Sequence, residues 1–419
     1  MRMLVGRPRL LLATLFVTTV TAAGGAGAQQ GAVRDGAIGY VMTDLFWSVY
    51  QTPDAKAECP RGFNDGPREQ FEKLFPDHES MTVEETQLAQ EIRTWHPTTE
   101  PDEFEFLAVE GDLSWGLNLD GRVDDEDFVH PDGTPGIDNE VYRAVGCVIG
   151  FRGPDGVEFI FQNKGILDER YNRMMIELTG VDDLANDDDV TVTIYRGMDR
   201  LLTNATGQEV MPGGTQRVDT RWGSSLIRQT RGSIRDSVLT TEPIGDMVMP
   251  WMNLSVPSIH IFRDMRLQLT LTPEGATGLV AGYADIDKWY YQLIRNDSTH
   301  HLSNGQISGI SLYKALRRFA DAYPDAETGE NTAISTALDV KMAQVFIADR
   351  PAELPPEALA HSARRSPELP LDSPERSASS PERSENSPER SENSPERSAN
   401  SPERHADSPE LSMNGPAQP

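Results

Sequence analysis

The sequence predicts a mainly β protein: an antiparallel sandwich or jelly-roll-like core, with a helical N-terminal segment, a C-terminal helical layer and a disordered tail. Three observations carry that prediction. Between about residues 145 and 284 the hydrophobic period is two, the signature of strands with one buried face. Clusters rich in Gly, Pro and Asp (DDLANDDD, MPGGT, TPEGATG) break that region into short segments. No strand–helix–strand rhythm occurs, which argues against a doubly wound parallel sheet.

Residues 1–28 read as a secretory signal. Arg2, Arg7 and Arg9 form a basic start, Leu10 to Ala23 an apolar run, and Ala26-Gly27-Ala28 a small-residue cleavage site. The apolar run is too short for a permanent membrane span. The expected location is therefore periplasmic or secreted, with no transmembrane anchor in the mature chain.

Residues 29–110 read as mixed or helical. Thr82-Val83-Glu84-Glu85 has the form of a capping box, followed by Leu88, Ile92 and Trp95 at helical spacing and closed by Pro97. The apolar run 38–50 fits a helix or a strand.

Residues 111–284 form the expected acidic loop and β region. Val190, Val192 and Ile194 alternate with polar neighbours, and Met265, Leu267, Leu269 and Leu271 make the clearest strand. Further strands are expected at 145–151, 157–162, 173–179, 216–222, 225–231, 234–241 and 277–283.

From 285 to 349 the spacing predicts three helices packed on the β region. Their stripes are Ile286, Trp289, Tyr290 and Leu293; then Leu312, Leu316, Phe319 and Tyr323; then Ile334, Leu338, Met342 and Val345. From 350 to 419 the chain becomes a tail. Seven copies of a seven-residue unit, each opening Ser-Pro-Glu, start at Ser366 and recur to Ser408. A proline in every copy, with almost no apolar residue, forbids a helix or a coiled-coil seam. The tail is expected to be a disordered, partly polyproline-like spacer, and stretched out it could reach on the order of 200 Å.

The charge is lopsided. Without the signal and the tail, 53 acidic and 27 basic residues remain, a net of −26. Such a surface repels nucleic acid, which needs a basic footprint. It suits hard cations, cationic partners or a salty medium. Two cysteines, Cys59 and Cys147, stand in a chain expected to enter an oxidising compartment, so a disulfide between them is expected. The other reading is two unrelated buried thiols.

The strongest candidate site is the run 116–128. Asn118, Asp120, Asp124 and Asp127 follow the ligand spacing of a calcium loop, with Gly121 at its sharp turn and the Arg122 carbonyl as a backbone ligand. Position 1 of such a loop should be Asp, and here it is Gly116. Asp132, Asp138 and Asn139 lie just downstream as replacement ligands. Calcium is accordingly the expected cofactor. A second acidic run, 182–189, reads more simply as a surface turn.

No HExxH, GxSxG, GxGxxG or Walker loop occurs. His130, within the acidic segment, and the adjacent His300 and His301 are the histidines placed to do chemistry. His260 reads as a core residue between Ile259 and Ile261. Trp115, Trp222 and Trp251 could stack on sugar rings or fill the core. These features favour a calcium-stabilised binding or structural protein with a glycan or an envelope protein as partner. The alternative is an exported hydrolase acting on a glycan or ester.

Four phrases resemble a group of exported proteins from Gram-negative bacteria that carry no assigned activity: ECPRGFNDGPREQF (58–71), DGTPGIDNEVYRAVGC (132–147), NDDDVTVTIYRGMDRLLTNATG (186–207) and PGGTQRVDTRWG (212–223). The resemblance implies one coherent unit over most of 40–349. It implies no activity, cofactor or catalytic residue. Both cysteines fall inside these phrases, which favours their pairing.

Overall fold

The computed structural model describes residues 32–64, 107–153, 156, 163, 165–167, 173–221, 226–253, 256–290, 309–354 and 358. The signal, the helix expected from Thr82, Trp222, His300 and His301, and the heptapeptide repeats lie outside the described residues.

Eight strands form a closed antiparallel barrel in chain order: β1 (Ala37–Trp47), β4 (Arg173–Thr179), β5 (Asp187–Gly197), β7 (Arg228–Arg235), β8 (Val238–Thr241), β10 (Val256–Leu271), β11 (Gly275–Asp285) and β13 (Asn331–Ala348). The last strand pairs with the first, Tyr40 opposite Gln344 and Trp47 opposite Leu338, and that pairing closes the sheet. Closure leaves no free barrel edge. Five short strands lie off the barrel path: β2 (Phe128–Val129), β3 (Pro135–Ile137), β6 (Gly214–Arg217), β9 (Met247–Asn253) and β12 (Ala322–Pro324). The mainly β, antiparallel expectation holds. The expected sandwich is instead one sheet curled on itself, because β13 is long enough to pair with β11 on one side and β1 on the other.

The strand register shows how the interior is filled. Met42, Leu45 and Trp47 on β1 meet Met342, Val340 and Leu338 on β13. Ile176 and Leu178 continue the same face to Ile194 and Val192. All are buried. An eight-stranded barrel is just wide enough for side chains to fill it, and here they do. At one end Trp47, Trp251 and Trp289 gather around His260, with ring centroids 4.9–5.6 Å apart. His260 is fully buried, its ring nitrogens find no partner among the described residues, and burial lowers its pKa to about 3. It is a neutral core residue, as expected, and Trp251 is core too.

Several expected elements change type. The third C-terminal helix is the strand β13. Ile334, Leu338 and Met342 fit a helical stripe, yet they are all even-numbered, so with Thr336 and Val340 they also share one face of a strand. Tyr323, expected to end a helix, sits in β12 with φ of 57°. The helix before it survives as α2 (Gly309–Arg318), and residues 286–290 form a helical turn. Residues 145–151, expected as a strand, instead lie across the end of α1 (Glu140–Val145) and a 3-10 turn at Ile149–Phe151. The ambiguous run 38–50 is strand β1.

The Cys59–Cys147 disulfide is present, with Cα atoms 5.7 Å apart. It joins the chain after β1 to the end of α1. Beside it the buried Glu58 pairs with Arg152 at 2.6 Å and accepts the Thr52 hydroxyl at 2.6 Å. The folded unit runs a little past residue 350: the Arg350 guanidinium clasps the buried Glu177 carboxylate, with Nε at 2.7 Å. No described helix is long and apolar enough to cross a membrane.

Candidate functional site

Residues 107–153 are inserted between β1 and β4 and carry the acidic loop, the β2–β3 hairpin and α1. Asn139 fixes this insert to the barrel. Its amide nitrogen donates to the carbonyls of Ser48 at 3.0 Å and Trp115 at 2.8 Å, and its Oδ1 accepts from the Ala337 amide at 3.3 Å and caps α1 through Tyr142. A buried side chain so engaged is a structural rivet. From β10, Arg266 donates to the carbonyls of Asn118 at 3.3 Å and Leu119 at 2.8 Å, holding the loop from the other side.

The insert and the barrel end enclose a cleft of about 570 Å3. Nine carboxylates line it against three arginines, so it is strongly negative. Of the expected metal ligands, Asp120, Arg122, Asp124, Asp127 and Asp138 reach this cleft; Asn118 and Asp132 do not line it. The fold adds Glu140 from α1 and Asp321 from the segment before β12. Sequence reasoning missed both. Glu140 carries no loop spacing, and Asp321 lies almost two hundred residues away in sequence.

Local bonds occupy much of the acidic loop. The Asp120 carboxylate accepts from the Arg122 amide at 2.8 Å and its Nε at 2.7 Å. Asn118 donates to the Arg122 carbonyl at 2.5 Å and accepts from the Gly121 amide at 2.6 Å. Asp127 accepts the Asp124 amide at 2.6 Å. Among the described residues no three His, Cys, Asp or Glu side chains form a group that could hold a metal ion.

Three carboxyls in the cleft are hard to ionise. Asp138, 9% exposed, is pushed up to about 6 by burial and by the nearby charges of Asp120 and Asp127. Hydrogen bonds from the amides of Leu119 at 2.5 Å and Asp120 at 3.3 Å act against that rise without cancelling it. Asp321 keeps an exposed side at the lip of the cleft. The protein packed on its inner side, with Glu140 and Asp138 close by, pushes it up to about 7. Glu140 is also raised by burial, although Arg143 pairs with it at 2.7 Å. Arg143 in turn stacks on Phe128, 4.1 Å from the ring centroid.

Asp132 behaves differently. It lies in the 130–134 turn, accepts from the Thr134 amide at 2.9 Å and pairs with His130 at 2.8 Å. The Thr134 bonds, reinforced by His130, lower its pKa to about 2. His130 packs edge-on against Trp115, which is 37% exposed. The second acidic run is a turn over 182–186, as expected, and its last three residues, 187–189, open β5. Asp187 accepts the amides of Asp182 at 2.8 Å and Asp189 at 3.1 Å, and Asp188 pairs with Arg235 at 2.7 Å.

Comparison with known proteins gives no match: no family model fits the sequence, and neither a curated protein nor a solved structure is significantly similar to it. The resemblance to exported proteins without assigned activity therefore stands on its sequence phrases alone.

Proposed function

We propose that this is an exported binding or structural protein of the cell envelope or extracellular space, whose acidic cleft takes a hard divalent cation, calcium first. The observation that carries this reading is Asp138. Burial first, and then the neighbouring charges of Asp120 and Asp127, make this carboxyl resist ionisation, although the Leu119 and Asp120 amides donate to it. A cation in the cleft relieves that repulsion. Hard oxygen ligands suit calcium. Because the carboxylates of the 118–127 loop lie folded on their own backbone, binding in this reading turns Asp120, Asp124 and Asp127 toward the ion.

The test is thermal melting of the protein with calcium and with chelator, together with elemental analysis. The expected result is an upward shift with calcium that is lost in Asp120→Asn/Asp124→Asn. A protein that binds none of the metal and melts unchanged sinks this reading.

One observation favours a second reading, an exported hydrolase of a glycan or ester. Asp138 and Asp321 share a cleft and are both raised above the ordinary carboxylate range, so either can hold a proton for donation as a general acid. A hydrolase would show a rate falling as pH rises through 6 to 7, and Asp321→Asn would abolish turnover while leaving the melting temperature in place.

A further inference from the structure

A second cavity lies away from the acidic cleft, on the outer wall of the barrel. It encloses about 670 Å3, within the ~300–1,000 Å3 range of small-molecule sites. Its wall is a row of polar side chains crossing four adjacent strands: Thr270 opposite Thr277, Thr277 opposite Lys341, and Lys341 opposite Asp44. Three inter-strand steps make this row about 14 Å long.

A bulge completes the row. β1 carries one extra residue between Met42 and Asp44, so Met42 opposes Met342 inside the barrel while Asp44 opposes Lys341 outside. Both Thr43 and Asp44 consequently line the cavity. Bulges re-aim side chains in this way. Among the described residues no protein group takes the hydroxyls of Thr270 and Thr277 or the ammonium of Lys341. A cross-strand threonine pair by itself stabilises a sheet. Here, however, the segment 208–212 also walls the row, and it is tied to β13 by the Gly213 amide donating to the Gln344 carbonyl at 2.9 Å.

We propose that this groove binds a short neutral oligosaccharide, lying along the row from Thr270 to Asp44. Threonine hydroxyls donate and accept, as sugar hydroxyls require of their partners. Lys341 supplies further donors, and Asp44, Glu209 and Glu274 supply acceptors; three carboxylates against one ammonium disfavour an anionic ligand. Val210 and Ala343 add apolar surface for the C–H faces of the sugar rings. The proposal shares the binding half of the functional reading above but not its cation.

The test is calorimetric titration of the full protein with maltotriose, cellotriose and tri-N-acetylchitotriose. The expected result is binding of at least one of them, weakened at least tenfold in Thr277→Ala and in Lys341→Ala. The melting temperature should stay unchanged, because both side chains are exposed. Binding should persist in Asp120→Asn/Asp124→Asn, so failure of the cation reading leaves this one standing. No binding of any of the three sugars at millimolar concentration overturns the proposal. So does binding that survives both groove variants, or binding lost only in the acidic-cleft variant.

Discussion

The barrel and the 107–153 insert satisfy their polar groups in opposite ways. In the barrel, backbone ladders close on themselves and the lumen is filled by Met42, Leu45, Ile176, Ile194 and Leu338. The insert has one six-residue helix, α1, and two strands of only two and three residues. Its shape comes from a disulfide, from Asn139 and from Arg266. Stability in the barrel is thus spread over many apolar contacts, whereas the insert hangs on a few identifiable bonds. Asp138 and Glu140, two carboxyls that burial makes hard to ionise, are in the insert. A rigid scaffold carrying a charged, locally pinned loop is the usual division between support and function.

If that division is right, the largest effect should come from the pin. Reducing the disulfide, or Cys59→Ala/Cys147→Ala, should cost roughly 3–5 kcal/mol, because it releases a long closed loop in the unfolded chain. It should also abolish calcium-dependent stabilisation. Denaturant unfolding with and without reductant measures both. A variant that keeps its response to calcium would show that the insert holds its shape without the pin.

Leu338→Ala tests the other side. Leu338 is fully buried between Trp47 and Val280, and truncating such a residue costs roughly 2–5 kcal/mol. The barrel should lose that stability while the calcium shift in melting temperature stays the same size. A lost shift would mean that the cleft depends on barrel packing and that the two regions are not separable.

Asp138 separates them by pH. A carboxyl raised in the folded state favours the protonated form, so its contribution is fully present below pH 3.8 and is lost as pH rises through about 6. The unliganded protein should therefore weaken by roughly 2–3 kcal/mol between pH 4 and 7.5 through this group. Asp138→Asn should be the more stable protein at pH 7.5 and equal to the parent at pH 4, since an amide oxygen can still accept from Leu119 and Asp120. Urea unfolding at the two pH values decides it. Parallel stability curves for parent and variant would show that Asp138 ionises normally.

The two regions were also unequally legible in the sequence. β4 spans residues 173–179, as its alternation predicts, and the disulfide and the acidic loop stand where composition places them. These features are local, or rest on residue types that leave few choices. Barrel closure was not legible, because the pairing of Tyr40 with Gln344 joins the first and last barrel strands, about three hundred residues apart, and no short window contains it. β13 was misread because Ile334, Leu338 and Met342 satisfy both periods at once. Asp321 and Glu140 entered the cleft unannounced, since a site assembled from the acidic loop, α1 and the segment before β12 leaves no spacing to read. The bulge at Thr43 was equally silent: its effect, turning Asp44 outward opposite Lys341, exists only once a partner strand is present.

The smallest expected effect comes from comparing the two acidic runs. Residues 182–189 carry a denser charge than the loop at 118–127, but Asp188 and Asp189 are exposed and paired with Arg235 and Arg231 on β7. Exposed pairs of this kind are worth roughly 0–1 kcal/mol and are screened by salt. Asp188→Asn should thus move stability by no more than about 0.5 kcal/mol and leave any calcium response untouched. Asp120→Asn removes one charge too, but at a cleft where Asp138 already resists ionising. That change should lower the apparent pKa of Asp138, visible as a shift of the pH at which stability falls. Equal responses from Asp188→Asn and Asp120→Asn would mean that charge density alone governs both loops. A response confined to Asp120→Asn would place the difference in burial, which the insert has and the 182–189 turn lacks.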